Sequence, residues 1–414
     1  MGLRITGLSD LHITRGPRLD DQRAAFHAYL DAAIAWRPDL WLIGGDLTGT
    51  TVPHRSVSEE REVLEGIITR MSGVAPVVIV QGNHDHALDV ALLANLGGEW
   101  PIYAVSELTD PRDFAFTVRT PSGPAHLYVL PWPTKKHLLA GEDAPRGVTE
   151  GNRAVQEALG GVLLSWSMRV RRARRSSPGE PHIGLAHLSV AGAVTSGGEV
   201  LSGHDVEVSR EQLESVGLDY GWLGHLHGDQ DVADRWGYPG SHTRNDFGET
   251  EAKSARLVTL GAPGPDGRLA LTVDRVPSKC RELRTLVYRW AADTEDGTPR
   301  WTVHPSAAEL ARVADAEVRM RVTVPEAWAP SCPWADAVAK VQRAGAVRIV
   351  EERKTEPALR MRAPAVAAAQ TDAERLTAYW GTLASPPADP EQAAALACLA
   401  DLATMDDETI AGVA

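Results

Sequence analysis

Cysteine is nearly absent from this chain, with Cys280, Cys332 and Cys398 the only three in 414 residues. Three widely separated thiols make neither a disulfide framework nor a thiolate zinc site, and they fit a reducing compartment. No stretch approaches about 18 consecutive apolar residues, so no membrane-spanning helix is expected. The opening MGLRITGLSDLHI has no basic segment followed by a long apolar core. It therefore predicts no signal peptide and a cytoplasmic protein. Basic charge is not in surplus either: 42 Lys and Arg against 55 Asp and Glu leave a net charge of -13. That balance argues against a surface binding polyanions everywhere, so any nucleic-acid contact has to be a local basic patch or run through bound metal. Internal repeats and low-complexity tracts are also missing, and the Ala-rich C-terminal part is helical bias.

What is present is an ordinary globular composition, 43% hydrophobic and 23% charged. The length exceeds one ordinary core and predicts two or three domains. In the first half, short apolar runs alternate with helical patterns: Leu3–Leu8, then Gln22–Trp36, Leu40–Gly45, Arg61–Met71 and Pro76–Gly82. This reads as βαβ units on a central α/β sheet. Helices are further expected over Ala87–Leu96 and Ala154–Arg175, and a two-stranded segment over Arg256–Pro277 closes the first domain. A β-α-β pattern follows at 316–353, then two helical stretches split by SPPADP (Ser385–Pro390).

Five expected strand ends carry chemistry. They are Asp10 and His12 in SDLH, Asp46 in GGD, Asn83 and His84 in GNHDH, His187 in LAHL, and His225 and His227 in GHLHG. In open α/β sheets ligands collect beyond the carboxyl ends of strands. An HxH pair such as His225 and His227 converges only in an extended segment, where i and i+2 point to the same side. Taken singly, each motif is better explained by a turn, a cap or a satisfied core histidine. Together, four histidines, two aspartates and an asparagine form a nitrogen and oxygen donor set without thiolate, suited to Mn, Fe or Zn. One aspartate bridging two dications about 3.5–4 Å apart would give a two-metal hydrolytic centre. Glycines beside Asp46, Asn83 and His225 would let the backbone turn tightly there.

The set Asp10-Leu-His12, Gly44-Gly45-Asp46, Gly82-Asn83-His84-Asp85, His187 and His225-Leu-His227 resembles the calcineurin-like metallophosphoesterases. The resemblance implies a four-layered α/β (α+β) fold, a β-sandwich flanked by helices, with two bound divalent metals. It places one metal on Asp10, His12, Asp46 and His227, and the other on Asp46, Asn83, His187 and His225. Asp46 would bridge, and His84 would face the substrate and protonate the leaving oxygen.

The stretch GHLHGDQ, followed by GSHTRNDFGE (Gly240–Glu249), is similar to the G-H-x-H-x-x-Q and G-S-x-x-R-x-x-F-x-E patterns of SbcD-type DNA-repair nucleases. AHLSVAGAVTSGGE also resembles a motif of theirs. This implies a Mn2+-dependent nuclease, with Fe2+, Zn2+ or Mg2+ as alternatives, acting on DNA ends or hairpins. It further implies a homodimer partnered with an SbcC-type coiled-coil ATPase. Residues 1–280 would be the nuclease domain, 281–357 a small capping and DNA-binding domain, and 358–414 a helical tail docking the ATPase. The chain departs from many archaeal and eukaryotic relatives in having Gly49 where they carry a histidine that positions DNA for exonucleolytic cleavage. His86 is either a substitute for it or an exposed loop residue.

The run RVRRARR, with Arg169, Arg171, Arg172, Arg174 and Arg175, and the pair Lys135 and Lys136 are candidate DNA contacts. A solvated helix end, where cations complement the dipole, is the alternative for the arginines. Two other functions compete with the nuclease: a phosphodiesterase or phosphatase acting on small phosphoesters, and a DNA-end-binding subunit that regulates an ATPase without cleaving.

Overall fold

Short runs of buried aliphatic residues become strands in this chain, and the amphipathic stretches between them become helices. The computed structural model describes residues 2–49, 59–134, 138–139, 148–196, 206–292, 298–357 and 363–402. In chain order the first elements are β1 (Leu3–Leu8), α1 (Leu19–Trp36), β2 (Leu40–Ile43), α2 (Glu59–Ser72), β3 (Val77–Val80), α3 (Ala87–Leu92) and β4 (Ile102–Val105). Then come β5 (Ala115–Thr120), β6 (Gly123–Leu130), α4 (Val148–Ser176), β7 (His182–His187), β8 (Ser189–Val190), β9 (Glu207–Val208) and α5 (Arg210–Val216). β10 (Tyr220–Gly224), β11 (Gln230–Ala233), β12 (Trp236–Tyr238), β13 (Ser254–Pro263) and β14 (Leu269–Pro277) follow.

These strands form two six-stranded sheets, ordered β14-β13-β1-β2-β3-β4 and β11-β12-β10-β7-β6-β5. In the first, β1 to β4 are parallel and β13 joins β1 antiparallel. In the second, β7 is parallel to both β6 and β10. Ile5, Leu40, Leu42, Val78 and Val80 of one sheet share a core with Leu127, Val129, Leu185 and Trp222 of the other. The opposite face of the first sheet, through Trp41, Ile43, Val77 and Ile79, packs on Phe26 and Leu30 of α1 and Ile67, Ile68 and Met71 of α2. Leu159, Leu163 and Trp166 of α4 and Leu213 of α5 join the core of the second sheet.

The architecture is therefore helix, sheet, sheet, helix, the four-layered sandwich that the resemblance implies. Covered on both faces, β2 (LWLI) and β3 (VVIV) bury every residue, as central parallel strands do. The single open sheet suggested by the βαβ rhythm does not form. Strand periodicity records burial but not which sheet a strand joins, and β5, β6, β7 and β10 build a second sheet.

The described residues fall into two compact units, one of Met1–Val287, Pro305–Met320 and Trp334–Glu352, the other of Tyr288–His304, Arg321–Pro333 and Arg353–Ala414. Residues from 283 onward supply β15 (Leu283–Ala292), β16 (Pro299–Val303), α6 (Ala307–Ala311), β17 (Glu317–Pro325), α7 (Trp334–Arg343) and β18 (Arg348–Glu356). The strands are hydrogen-bonded in the order β16-β15-β17-β18. The β-α-β segment expected from the sequence is β17, α7 and β18, and β15 and β16 enlarge its sheet.

Within the second unit, Trp301 packs edge-on against Tyr288 and Trp290. Among its described residues the tail holds three helices, α8 (Pro364–Ala368), α9 (Asp372–Trp380) and α10 (Asp389–Leu402), where the sequence pattern predicts two stretches. The extra break comes from Thr371, whose side chain caps a fresh helix by accepting from the Glu374 amide. No helix among the described residues is long and apolar enough to cross a membrane.

Candidate metal centre

Each strand run ends in a tight, polar turn, and the turns from both sheets meet. Asp10 and His12 follow β1, Asp46 follows β2, Asn83 and His84 follow β3, His187 closes β7, and His225 and His227 follow β10. Four of these residues have positive φ: Asp10 at 52°, His12 at 41°, Asp46 at 51° and His225 at 111°. Backbone strain of this kind in non-glycine residues concentrates at functional sites. The glycines leave the room. At Gly45 (φ 90°) an added Cβ would lie 2.7 Å from both the Gly82 amide nitrogen and His187 Nδ1. At Gly224 it would lie 1.9 Å from the Gly44 carbonyl oxygen.

Asp46 stands at the middle. Its Oδ2 is 3.6 Å from His12 Nε2 and 3.6 Å from His187 Nε2, while Oδ1 accepts from the His84 amide at 2.9 Å. On one side, His12 Nε2 and His227 Nε2 approach to 3.1 Å. On the other, Asn83 Oδ1 faces His187 Nε2 at 2.8 Å and His225 Nδ1 at 3.1 Å. Asp10 lies underneath, fully buried; its Oδ1 accepts from the His225 amide at 2.8 Å and its Oδ2 has no partner. Among the described residues two triads can offer ligand atoms within 4.8 Å of one another: Asp10, His12 and His227, and Asp10, Asp46 and His187. Asp10 thus reaches both halves, although the resemblance implies that it serves one.

The donor set suits divalent cations. The carbonyl of Gly44 can only accept, so His187 Nδ1, 2.6 Å away, carries the proton and Nε2 turns its lone pair towards Asn83 Oδ1. His227 Nδ1 donates to Glu249 Oε1 at 2.7 Å, and against the effect of burial that carboxylate, with Asp10, raises the imidazole above its ordinary value, so Nε2 would face His12 as a lone pair once a cation displaces its proton. The lone pair of His187 Nε2 meeting the Asn83 carbonyl oxygen at 2.8 Å is favourable around a positive charge. Burial, partly opposed by Asp46, pushes His12 down to about 4. Burial, with His187 alongside, does the same to His225, so both imidazoles are neutral, as metal ligation requires. Burial also lifts the Asp10 carboxyl well above its usual range, a cost that a bound cation would remove. Asp46, which burial alone would raise, is held below the ordinary value by His187 and His12.

The histidine pair does not lie in an extended exit. With φ of 111° at His225 the chain turns sharply, and the two rings go to different halves of the site. The His225 ring packs 4.9 Å from Trp132 and 5.4 Å from His187, whereas the His227 ring packs 4.9 Å from His12. Beside the site opens a cleft of about 620 Å³ lined by Thr14, Gly49, Thr195, Ser196, Asn245 and Asp246 together with His12, His225 and His227. His84 is exposed, its ring 5.2 Å edge-on from His12. His86 is exposed too, at the start of α3.

Three supporting residues lie outside the set that the motifs nominate. Asp85 accepts from the Asp46, Leu47 and Gly82 amides, each at 2.8 Å, and so fastens the turns after β2 and β3 together. Glu249 backs His227, and Trp132 backs His225. Asp85 and Glu249 both occur inside the quoted motifs, so a signal exists for them; for Trp132, in a loop after β6, there is none.

The arginines are elsewhere. Arg174 pairs with buried Asp219 at 2.8 Å, and Asp219 accepts from the amide of His182, the first residue of β7. His187 ends that strand, roughly 17 Å away at the usual rise per residue. Arg169, Arg171, Arg172 and Arg175 are exposed on α4. Lys135 and Lys136 lie outside the described residues.

A family model described as calcineurin-like phosphoesterase matches residues 3–229. The SbcD chain of the nuclease SbcCD from Staphylococcus saprophyticus is 25% identical over 268 residues, covering 62% of this chain and 66% of that protein, just under two thirds of its length. Among solved structures, the anchor in the inner membrane complex of Plasmodium is similar at a TM-score of 0.41 with 11% identity, covering 84% of this chain and 96% of its own. A dimetal phosphatase from Danio rerio gives 0.39 with 12% identity, covering 66% and 98%.

Proposed function

The chain belongs to the calcineurin-like phosphoesterase family, and from that premise we propose that it is a Mn2+-dependent DNA nuclease of the SbcD type, cytoplasmic and working with an SbcC-type ATPase. The observation that carries the hydrolytic reading is the convergence of both sheets' turns on Asp46, within 3.6 Å of His12 and of His187. In this reading Asp10, His12, Asp46 and His227 hold one divalent ion, and Asp46, Asn83, His187 and His225 hold the other. The pair of ions would supply Lewis-acid charge for phosphoester hydrolysis. His84, exposed at the rim, delivers a proton to the leaving oxygen, and Trp132 keeps the His225 ring in place. The nuclease assignment draws on the similarity to the staphylococcal SbcD chain; the homodimer, the capping role of 281–357 and the docking role of 358–414 are proposed with it on the motif resemblance alone.

A second reading, hydrolysis of small phosphoesters, is favoured by one feature. Among the described residues lining the cleft none is lysine or arginine, so a polyanionic strand finds hydroxyls, an amide and the carboxylates of Asp246 and Glu249 beside the histidines rather than fixed cations. The deciding experiment incubates the full chain, with and without its ATPase, with Mn2+ and linear DNA, hairpin DNA or bis(p-nitrophenyl) phosphate. Cleavage of either DNA is the expected result. Good turnover of the small diester with every DNA left intact overturns the nuclease assignment.

A further inference from the structure

The two central imidazoles with defined proton positions are held by unlike partners. His187 Nδ1 rests on a neutral acceptor, the Gly44 carbonyl, at 2.6 Å. His227 Nδ1 rests on the carboxylate of Glu249 at 2.7 Å, and Glu249 is 3% exposed. Behind it, Glu249 Oε2 meets the ammonium of Lys253 at 2.6 Å. That ammonium is buried as well and donates to Glu251 Oε1 at 2.6 Å, Ser241 Oγ at 3.0 Å and the His227 carbonyl at 3.0 Å. The network closes on itself: Lys253 grips the main chain of His227 directly and its ring through Glu249.

We infer that Glu249 and Lys253 are positioning residues that fix the His227 ring with Nε2 turned inward and make the metal position of Asp10, His12 and His227 the tighter of the two. A carboxylate behind an imidazole raises its strength as a ligand, and loss of such an outer partner typically weakens metal binding by about 10–100-fold. A neutral carbonyl, as behind His187, does less. Lys253 keeps the carboxylate aimed and its charge compensated within the protein, so a buried Glu249 is tolerated next to the site. The inference rests on the metal-centre reading above and concerns the inequality of its halves, which that reading does not contain.

The test is Mn2+ binding to the full chain, read as metal per chain and as a stepwise isotherm. Wild type is expected to take two ions in two unequal steps, and His187→Ala to retain the tighter one. Glu249→Gln keeps an acceptor for the ring proton but removes the charge. Placed in the His187→Ala background, it is expected to weaken the remaining step about 10–100-fold. The double variant Glu249→Gln/Lys253→Met, which removes both charges together, is expected to do the same. Should His187→Ala fail to fold, His225→Ala takes its place. A remaining step that moves less than twofold, or equal weakening of both steps in the otherwise wild-type chain, overturns the inference. A wild type that binds no divalent ion would instead overturn the metal-centre reading itself.

Discussion

The amide of His84 donates to Asp46 Oδ1 at 2.9 Å, which ties the residue at the rim to the central carboxylate through main chain and leaves the imidazole uncommitted to that contact. Replacing the ring therefore leaves the Asp46 anchor in place. His84→Ala is expected to keep the wild-type metal content while hydrolysis falls by about 10²–10⁴-fold, the usual worth of a positioned proton donor. Metal analysis and steady-state rates on the same preparation check it. Loss of metal along with activity would show the ring to be part of the metal shell.

Asp46 lies between the halves, so Asp46→Asn is expected to lower metal content and abolish turnover. Metal removal gives a second readout. Stripping the ions leaves Asp10 Oδ2 buried without a partner, and returning Mn2+ at about 100 times its Kd adds roughly 2.7 kcal/mol of stability by mass action. Melting curves with and without metal should show this gain in wild type and a much smaller one in Asp46→Asn.

Gly45 and Gly123 both have positive φ, 90° and 119°, but only Gly45 is crowded by other atoms. Gly123→Ala incurs backbone strain alone, about 1–3 kcal/mol. Gly45→Ala incurs similar strain and also drives a methyl against His187 and the Gly82 amide, so it should lower metal content where Gly123→Ala does not. Equal metal content in the two variants would refute this account of the turn.

Two buried histidines away from the site set an acid limit. Burial, with His126 and Arg174 nearby, pushes His182 down to about 3, and burial pushes His242 down to about 4. Both are neutral when folded, whereas the unfolded chain protonates them below about 6.5. Their contribution is complete above about pH 6.5 and is lost as pH falls, towards about 4 for His242 and about 3 for His182. The slope is at most about 1.4 kcal/mol per pH unit for each. Urea unfolding followed from neutral pH into the acid range should be shallower in pH for His242→Leu than for wild type.

The arginines of α4 divide into two roles. Arg174→Ala leaves buried Asp219 short of a charged partner and is expected to cost about 1–3 kcal/mol. Replacing Arg171, Arg172 and Arg175 by alanine should leave folding and small-diester turnover unchanged. If they touch DNA as proposed, binding weakens and its salt slope falls by about 0.9 for each phosphate no longer neutralised. An unchanged slope assigns them to a solvated helix face.

Much of this is legible in the residues. β1 occupies the run Leu3–Leu8 that its apolar pattern marks, and α1, α2 and α4 start two to six residues before the points where the helical period becomes visible, because polar first turns hide it. The candidate ligands can be read because each sits at the end of an apolar run, His187 as the last residue of β7 and the others in the polar turns after their strands. The tail is harder to read at Thr371, where helical bias on both sides masks a cap.

By itself the sequence determined the alternation of strands and helices, the lack of any thiolate framework, and the strand exits at which the candidate ligands lie. Those follow from local physics, namely periodic burial, turn geometry and capping. Only the tertiary structure decided that three of the turns come from one sheet and two from another, that His225 bends away from His227, and that Glu249 with Lys253 stands behind one imidazole and a bare carbonyl behind the other. It also decided that the arginines sit at the far end of β7. Residues as far apart as His12 and His227 meet because two twisted sheets pack face to face around a common core, and periodicity along a chain carries no record of which faces will touch.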